Sequence, residues 1–381
     1  MDYFNESHEM LRQVVRDFVR DEILPYVDEW EEAEIFPREL YVKAGDRGLL
    51  GLGFDDAYGG IEANIFHHIV LGEEYARSGA GGIAAGLGSH GIGLPPIQKL
   101  GTEEQKARFI PPVLSGEKIA ALAITEADAG SDVASLRTRA VRTGDHYVVN
   151  GSKTFITSGT RADFLITAVR TGGPGHGGIS LLVIESDRPG VMVSKSLKKM
   201  GWRCSDTAEL AFADVAVPVE NLIGGEGQGF AAIMRNFQQE RLSMAVMGYG
   251  TARVAYEQAL EHARNRIVFG KPLIAKQVIR HKLAEMLTRI EVAQTYVYSV
   301  GARMQAGIDS PKEVSIAKNF AVTACDYVMR EATQILGGMG FMRGVAVERL
   351  YRDARVLSIG GGAHEIMNEI ICKYAGISAS V

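Results

Sequence analysis

Apolar residues recur at spacings of three and four through Met10, Leu11, Val14, Val15, Phe18 and Val19 until Pro25 interrupts them, the period of a helix with one buried face. Gly59-Gly60, the stretch from Gly91 to Pro96 and Pro111-Pro112 break the later runs, so residues 1–118 read as an N-terminal helical bundle. The texture changes near Ile119. Short β-branched stretches follow at Ala140 to Thr143, Tyr147 to Val149, Phe164 to Val169, Ser180 to Ile184 and Leu210 to Val217. Gly144-Asp145 and Asn150-Gly151 read as turns between them, and Gly172 to Gly178 as a loop. Strands this close together, with no helical run between them, predict a central antiparallel, β-barrel-like domain over 119–228 rather than a parallel sheet. Beyond Pro218 the helical period returns. One long helix is expected from near Gly229 and another after Pro272. A third is expected at Ser310-Pro311-Lys312-Glu313, with Ser310 as N-cap, Pro311 at the first helical position and Glu313 closing a capping box. Residues 229–381 thus read as a C-terminal four-helix bundle, and the fold class as α+β.

With 46% hydrophobic and 23% charged residues, the 381-residue chain has the make-up of a globular protein with a sizeable core. Its net charge of −5, with no long basic stripe, speaks against nucleic acid or an anionic membrane as partner. Three unpaired-looking cysteines, Cys204, Cys325 and Cys372, suit a reducing compartment. The start, Met1 to Glu6, lacks a basic and apolar leader, and no run reaches the roughly 18 apolar residues of a membrane span. A cytoplasmic location is expected, or the mitochondrial matrix if a targeting peptide precedes the chain. The nine histidines show no metal-ligand spacing, so no metal is expected.

Five segments carry candidate chemistry. Leu122 to Asp132 leaves a strand for a loop of small and hydroxylic residues, whose main-chain N–H groups can approach a planar acceptor closely. Gly151-Ser152-Lys153-Thr154-Phe155-Ile156-Thr157 sets an aromatic in a strand, by itself an ordinary core position. Arg266-Ile267-Val268-Phe269-Gly270-Lys271, with Gln277, offers either a phosphate-binding fork or a basic residue complementing a helix C-terminus. Gln334 to Phe341 places glycines where a pyrophosphate could pass close by. The last segment reads Tyr351-Arg352-Asp353-Ala354-Arg355, then Ile359-Gly360-Gly361-Gly362-Ala363-His364-Glu365-Ile366. No GxGxxG opens a helix after a strand, which disfavours a Rossmann site.

In this order the segments resemble the motifs of the acyl-CoA dehydrogenases, over essentially the whole chain. Ala127 stands where that family usually has proline, Phe155 where it has tryptophan, and Gly361 where it has its catalytic glutamate. The resemblance implies FAD, with Leu122, Ile124, Thr125, Gly130, Ser131, Phe155, Thr157, Arg266, Phe269, Gln277, Gln334, Gly337, Gly338, Ala363 and Glu365 as cofactor-binding residues. The arginine motif would reach the FAD of a neighbouring subunit in a homotetramer or dimer of dimers. Ser131, Arg241 and Gly361 are implied at an acyl-CoA substrate, and an electron-transferring flavoprotein as the electron acceptor.

Glycine cannot take a proton, so a base at Gly361 is excluded. Phe237-Gln238-Gln239-Glu240-Arg241-Leu242 supplies a carboxylate where the isovaleryl-CoA and long-chain members carry theirs. The apolar run after it, Leu242, Met244, Ala245, Val246 and Met247, suggests burial, which would raise the pKa of Glu240 toward a working value. Removal of the α-proton by Glu240 and delivery of the β-hydride to flavin N5 would yield a trans-2-enoyl-CoA, with Arg241 as a positioner. A base on the long helix and free volume at Gly361 favour a long or branched, including terpenoid, acyl chain. His364 and Glu365 are the rival acids; Glu365 also reads as supporting the terminal helix. The rival functions are a flavin-dependent oxidase or monooxygenase of the nitroalkane-oxidase kind, and a non-catalytic acyl-CoA-binding homologue.

Overall fold

The computed structural model describes residues 3–377, apart from the side chains at 235 and 236, so Met1 and Asp2 of the N-terminal run lie outside it. Helices, a sheet and helices follow one another, an α+β architecture. Helices α1 (Glu6–Phe18) and α2 (Ile65–Ala76), with shorter helical pieces, form the first layer. The last layer contains α3 (Gly229–Asn265), α4 (Gln277–Gln305), α5 (Pro311–Leu336), α6 (Ala346–Ala354) and α7 (His364–Ala375). Ala252, Ala255, Ala259 and Ala263 are all fully buried on α3, and such small side chains at three- and four-residue spacing let neighbouring helices approach closely. A carboxylate ties the layers together. Glu73 of α2 accepts hydrogen bonds from Tyr249 of α3 (2.8 Å) and from Gln294 of α4 (3.0 Å).

Between the two sets of helices in sequence comes an eight-stranded sheet: β1 (Ala120–Ala123), β2 (Arg139–Thr143), β3 (His146–Thr157), β4 (Phe164–Arg170), β5 (Ile179–Glu185), β6 (Val191–Ser196), β7 (Thr207–Pro218) and β8 (Leu222–Ile223). Its order is β6-β7-β3-β2-β4-β5-β8, with β1 also paired to β4. The expected antiparallel pairing holds for most neighbours, but β1 and β2 both run parallel to β4, and the sheet is open rather than closed into a barrel. The reason is local. β1 pairs with β4 from Phe164 to Thr167 and β2 meets it only at Arg170, so the two lie end to end along one edge. The chain from 124 to 138 leaves that edge as a loop.

Two local expectations fail. Asn150-Gly151 is not a turn: both residues lie within β3, at a register shift against β7 where Gly151 adopts φ 149°. A Cβ on Gly151 would come within 2.6 Å of Thr138 Oγ1, so close packing, not chain reversal, demands the glycine there. Gly144-Asp145 does form the hairpin turn. Ser310 stands at the N-cap of α5 and Pro311 at the first helical position as expected, but no capping box forms: the Ser310 hydroxyl donates to the Ile308 carbonyl (2.8 Å) instead of accepting from the helix. The edge strand β6 was not expected. Among the described residues no helix is long and apolar enough to cross a membrane, and no group of three or more His, Cys, Asp or Glu could hold a metal ion.

Candidate active site

Glu240 lies in the N-terminal part of α3, half-buried, with Met244 one turn further on. The fold carries it to the glycine-rich turn 360–362, more than a hundred residues away in sequence. A Cβ added to Gly361 would stand 3.3 Å from Met244 Cγ, 3.5 Å from Glu240 Oε1 and 3.8 Å from Lys318 Nζ. Gly361 has φ 61° and Gly362 φ 99°, left-handed conformations that glycine adopts at little cost. Burial raises the pKa of Glu240, against the pull of Lys318 and Arg241, which favour its charged form. Burial likewise lowers Lys318 to about 8, Glu240 acting upward and Arg241 downward. The carboxyl is therefore a stronger base than one in water.

The turn itself is held by cations. Lys318, almost fully buried on α5, donates to the carbonyls of both Gly360 and Gly362. Arg241 Nε approaches the Gly361 carbonyl at 3.4 Å, and its guanidinium lies over the Phe237 ring, 5.5 Å from the centroid. His364 and Glu365 open α7, Glu365 exposed, and neither acts electrostatically on Glu240. Ala363 precedes α7 as its cap residue.

A second surface forms where the loop after β1 meets β3. Thr154 N–H donates to the Thr125 carbonyl (2.8 Å), joining the two motifs. The pairing of β3 with β7 shifts between Lys153 and Ile156; within that bulge Phe155 takes φ 59° and turns its ring outward, 67% exposed. The core position that a strand aromatic would ordinarily take is thus overturned by the bulge. Leu122, Thr125 and Thr157 are half-buried, Ile124 is buried, and Gly130 and Ser131 are exposed.

Beneath this surface a buried ion pair fixes the loop. Lys153 Nζ lies 2.7 Å from Glu126 Oε1 and donates to the Ile124 carbonyl (2.9 Å). Glu126 in turn accepts from the main-chain N–H groups of Arg137 (2.6 Å) and Thr138 (3.0 Å). Burial brings Lys153 down to about 8; it also pushes Glu126 up, but Lys153 and the amides outweigh it and hold that carboxyl below its ordinary value. An uncovered apolar ring beside half-buried hydroxyls, on a loop locked from below, fits a planar heterocycle such as a flavin.

The remaining candidates stand apart. Phe269 (φ 51°) and Gly270 (φ 74°) form the two-residue tip of the Ile267–Val268/Lys271–Pro272 hairpin, with Phe269 92% exposed. Arg266, which follows α3, and Gln277, which begins α4, are exposed, as are Gln334, Gly337 and Gly338 at the C-terminal end of α5. Along α3, Arg266 lies roughly 39 Å from Glu240 at about 1.5 Å per residue. The chain therefore does not bring the arginine motif to Glu240.

Sequence reasoning missed three side chains at these sites. Lys318 is a lone lysine among the buried positions of α5, and Lys153 shares the inward parity of buried Tyr147 and Val149 on β3. A charged residue on an apolar stripe was the available signal in both cases. Glu126, quoted within its motif, gave no such signal before its partner was known.

Sequence profiles of the acyl-CoA dehydrogenase family match in three blocks: the N-terminal domain over residues 5–117, the middle domain over 121–215 and the C-terminal domain over 227–375. An acyl-CoA dehydrogenase of Bacillus subtilis (strain 168) is 40% identical over 374 residues, covering 98% of each chain. The crystal structure of a probable acyl-CoA dehydrogenase from Mycobacterium abscessus superposes with a TM-score of 0.97 at 53% identity, over 98% of this chain and 100% of that one. An acyl-CoA dehydrogenase from Bacillus anthracis, solved in complex with FAD, superposes with a TM-score of 0.92 at 33% identity, over 98% of this chain and 68% of that one.

Proposed function

The chain belongs to the acyl-CoA dehydrogenase family of FAD-dependent oxidoreductases, and on that footing we propose that it dehydrogenates a long or branched acyl-CoA thioester to the trans-2-enoyl-CoA with Glu240 as base. The observation that carries this reading is the burial of the Glu240 carboxyl against the space that the missing side chain of Gly361 leaves open. The substrate loses a proton from the α-carbon and, from the β-carbon, a hydrogen with its electron pair; FAD, when bound, supplies the two-electron acceptor. Glu240 takes the proton. Its raised pKa brings its basicity closer to the needs of a weak carbon acid, and closure by substrate would desolvate it further. A main-chain N–H of the 360–362 turn polarises the thioester carbonyl, and Arg241 steadies that turn through the Gly361 carbonyl.

Phe155, Thr125 and Thr157 hold the isoalloxazine ring, with Leu122, Ile124, Gly130 and Ser131 around it. Arg266, Phe269, Gln277, Gln334, Gly337 and Gly338 serve the FAD of a second copy, a reading supported by the distance of Arg266 from Glu240 along α3 and by the exposed apolar tip at Phe269. That arrangement implies a homotetramer or dimer of dimers, and the electrons pass on to an electron-transferring flavoprotein. The same reading divides the chain into domains at 118/119 and 228/229 and assigns it to the cytoplasm.

The decisive experiment mixes the purified yellow protein with a panel of acyl-CoAs under argon, varying length and branching. Bleaching of the flavin by long or branched substrates is expected. A flavin that stays oxidised with every acyl-CoA, while oxygen is consumed with some other substrate, would overturn the reading in favour of an oxidase or monooxygenase.

A further inference from the structure

Lys318 has no role in the chemistry as described above, yet the fold spends a buried ammonium on it, a group that is costly to bury unless it is fully used. Its two acceptors are alternate carbonyls of the turn, Gly360 and Gly362, while the carbonyl between them, Gly361, faces Arg241. Among the described residues no peptide is cis, and in a trans peptide the C=O of one residue and the N–H of the next point to opposite sides. A lysine that captures the Gly360 carbonyl therefore turns the Gly361 N–H away from itself. The ammonium also lies 3.8 Å from the point where a Gly361 Cβ would sit, and Glu240 Oε1 lies 3.5 Å from the same point. Among the described residues, Lys318 and Arg241 are the charged groups that act on Glu240.

We propose that Lys318 is a positioning residue for the dehydrogenation: it clamps the glycine-rich turn by two carbonyls, so that the Gly361 N–H is aimed at the thioester oxygen, and it sets a positive charge beside Glu240. The inference rests on the assignment of Glu240 as base. Without a side chain at position 361 the turn has no anchor of its own there, and glycines at left-handed φ would otherwise sample many conformations. The lysine replaces that lost anchorage from the neighbouring helix. Its charge also favours the ionised carboxylate that must accept the proton, in a place where burial alone would hold the proton on.

Lys318→Gln keeps a donor for the carbonyls and removes the charge; Lys318→Met removes both. Each is to be compared with the parent and with Glu240→Gln as FAD-loaded enzyme, by kcat/KM against pH. The acid limb is expected to move up by about one pH unit in both lysine variants, since an opposite charge at such range lowers a carboxylate by about that much or more. The high-pH plateau is expected to fall in both variants, roughly 100-fold in Lys318→Met, the scale of a small misplacement of catalytic groups, and by less in Lys318→Gln, which keeps a shorter donor. Should Lys318→Met not accumulate as flavoprotein, the limb in Lys318→Gln decides alone. An unmoved limb, with Glu240→Gln inactive, overturns the role of Lys318 and leaves the base in place. A Glu240→Gln enzyme that still turns over removes the base assignment first, and this inference with it.

Discussion

Glu240→Gln preserves the shape of the side chain and removes the oxygen proposed to accept the proton. A positioned general base is worth about 10²- to 10⁴-fold, or roughly 3 to 5 kcal/mol of barrier at about 1.4 kcal/mol per decade, so kcat should fall by that factor while FAD content stays normal. Glu240→Asp keeps the carboxylate but draws it back by one methylene, and a displacement of about 1 Å is worth about 100-fold. The same substitution should move stability the other way. The folded-state pKa of Glu240 is raised, so what its protonated form contributes to stability is complete below the unfolded carboxylate value and is lost as pH rises through the folded value. Ionisation of Glu240 therefore costs stability near pH 8 even with Lys318 and Arg241 in place, and glutamine avoids that cost. Thermal unfolding of the two proteins should show the variant melting higher at pH 8, with the gap closing toward pH 4. Turnover of Glu240→Gln within tenfold of the parent, at equal flavin loading, would refute the assignment.

Lys153→Met strips Glu126 of its buried partner and frees the Ile124 carbonyl; breaking a buried pair costs about 3 to 5 kcal/mol, so the melting temperature and FAD retention on dialysis should both drop. Phe155→Ala should leave the unfolding of the FAD-free protein unchanged, because the ring is exposed, yet weaken FAD by about 1 kcal/mol or more in a fluorescence titration; an equal loss in the FAD-free protein would contradict the placement of the ring. Asp353, buried beneath the main-chain N–H groups of Trp202 (2.6 Å) and Gly81 (2.9 Å), is raised by burial and by Glu31 to about 7. Its contribution to stability is complete below the ordinary carboxylate range and fades as pH approaches 7, so the melting temperature of Asp353→Asn should gain on the parent's between about pH 4 and pH 7.

The succession of helices, strands and helices was legible because it rests on local period: three-and-four spacing from Met10 to Val19, alternation and β-branching from Ala140 to Val217, and Pro311 at the start of α5. The ordered motifs, with glycine standing where a glutamate is usual, pointed to a flavin-dependent dehydrogenase and to a base elsewhere in the chain. What stayed hidden depends on contacts between distant segments. Asn150-Gly151 has the composition of a turn, and only the pairing of β3 with β7 makes it a bulged strand. Phe155 reads as core until that strand's register shift turns it out to solvent.

Lys318 lies on α5 and Gly361 in a turn outside any helix, with no periodic relation between them, so no spacing rule could join a buried ammonium to a bare turn. The sequence by itself determined the local conformations and which residue types were available for chemistry, because φ/ψ preference and hydrophobic period act over a few residues. The tertiary structure alone decided which of those residues share one desolvated volume, because burial, and the pKa shifts it causes in Glu240, Lys318 and Lys153, belong to the packed whole and to no single segment.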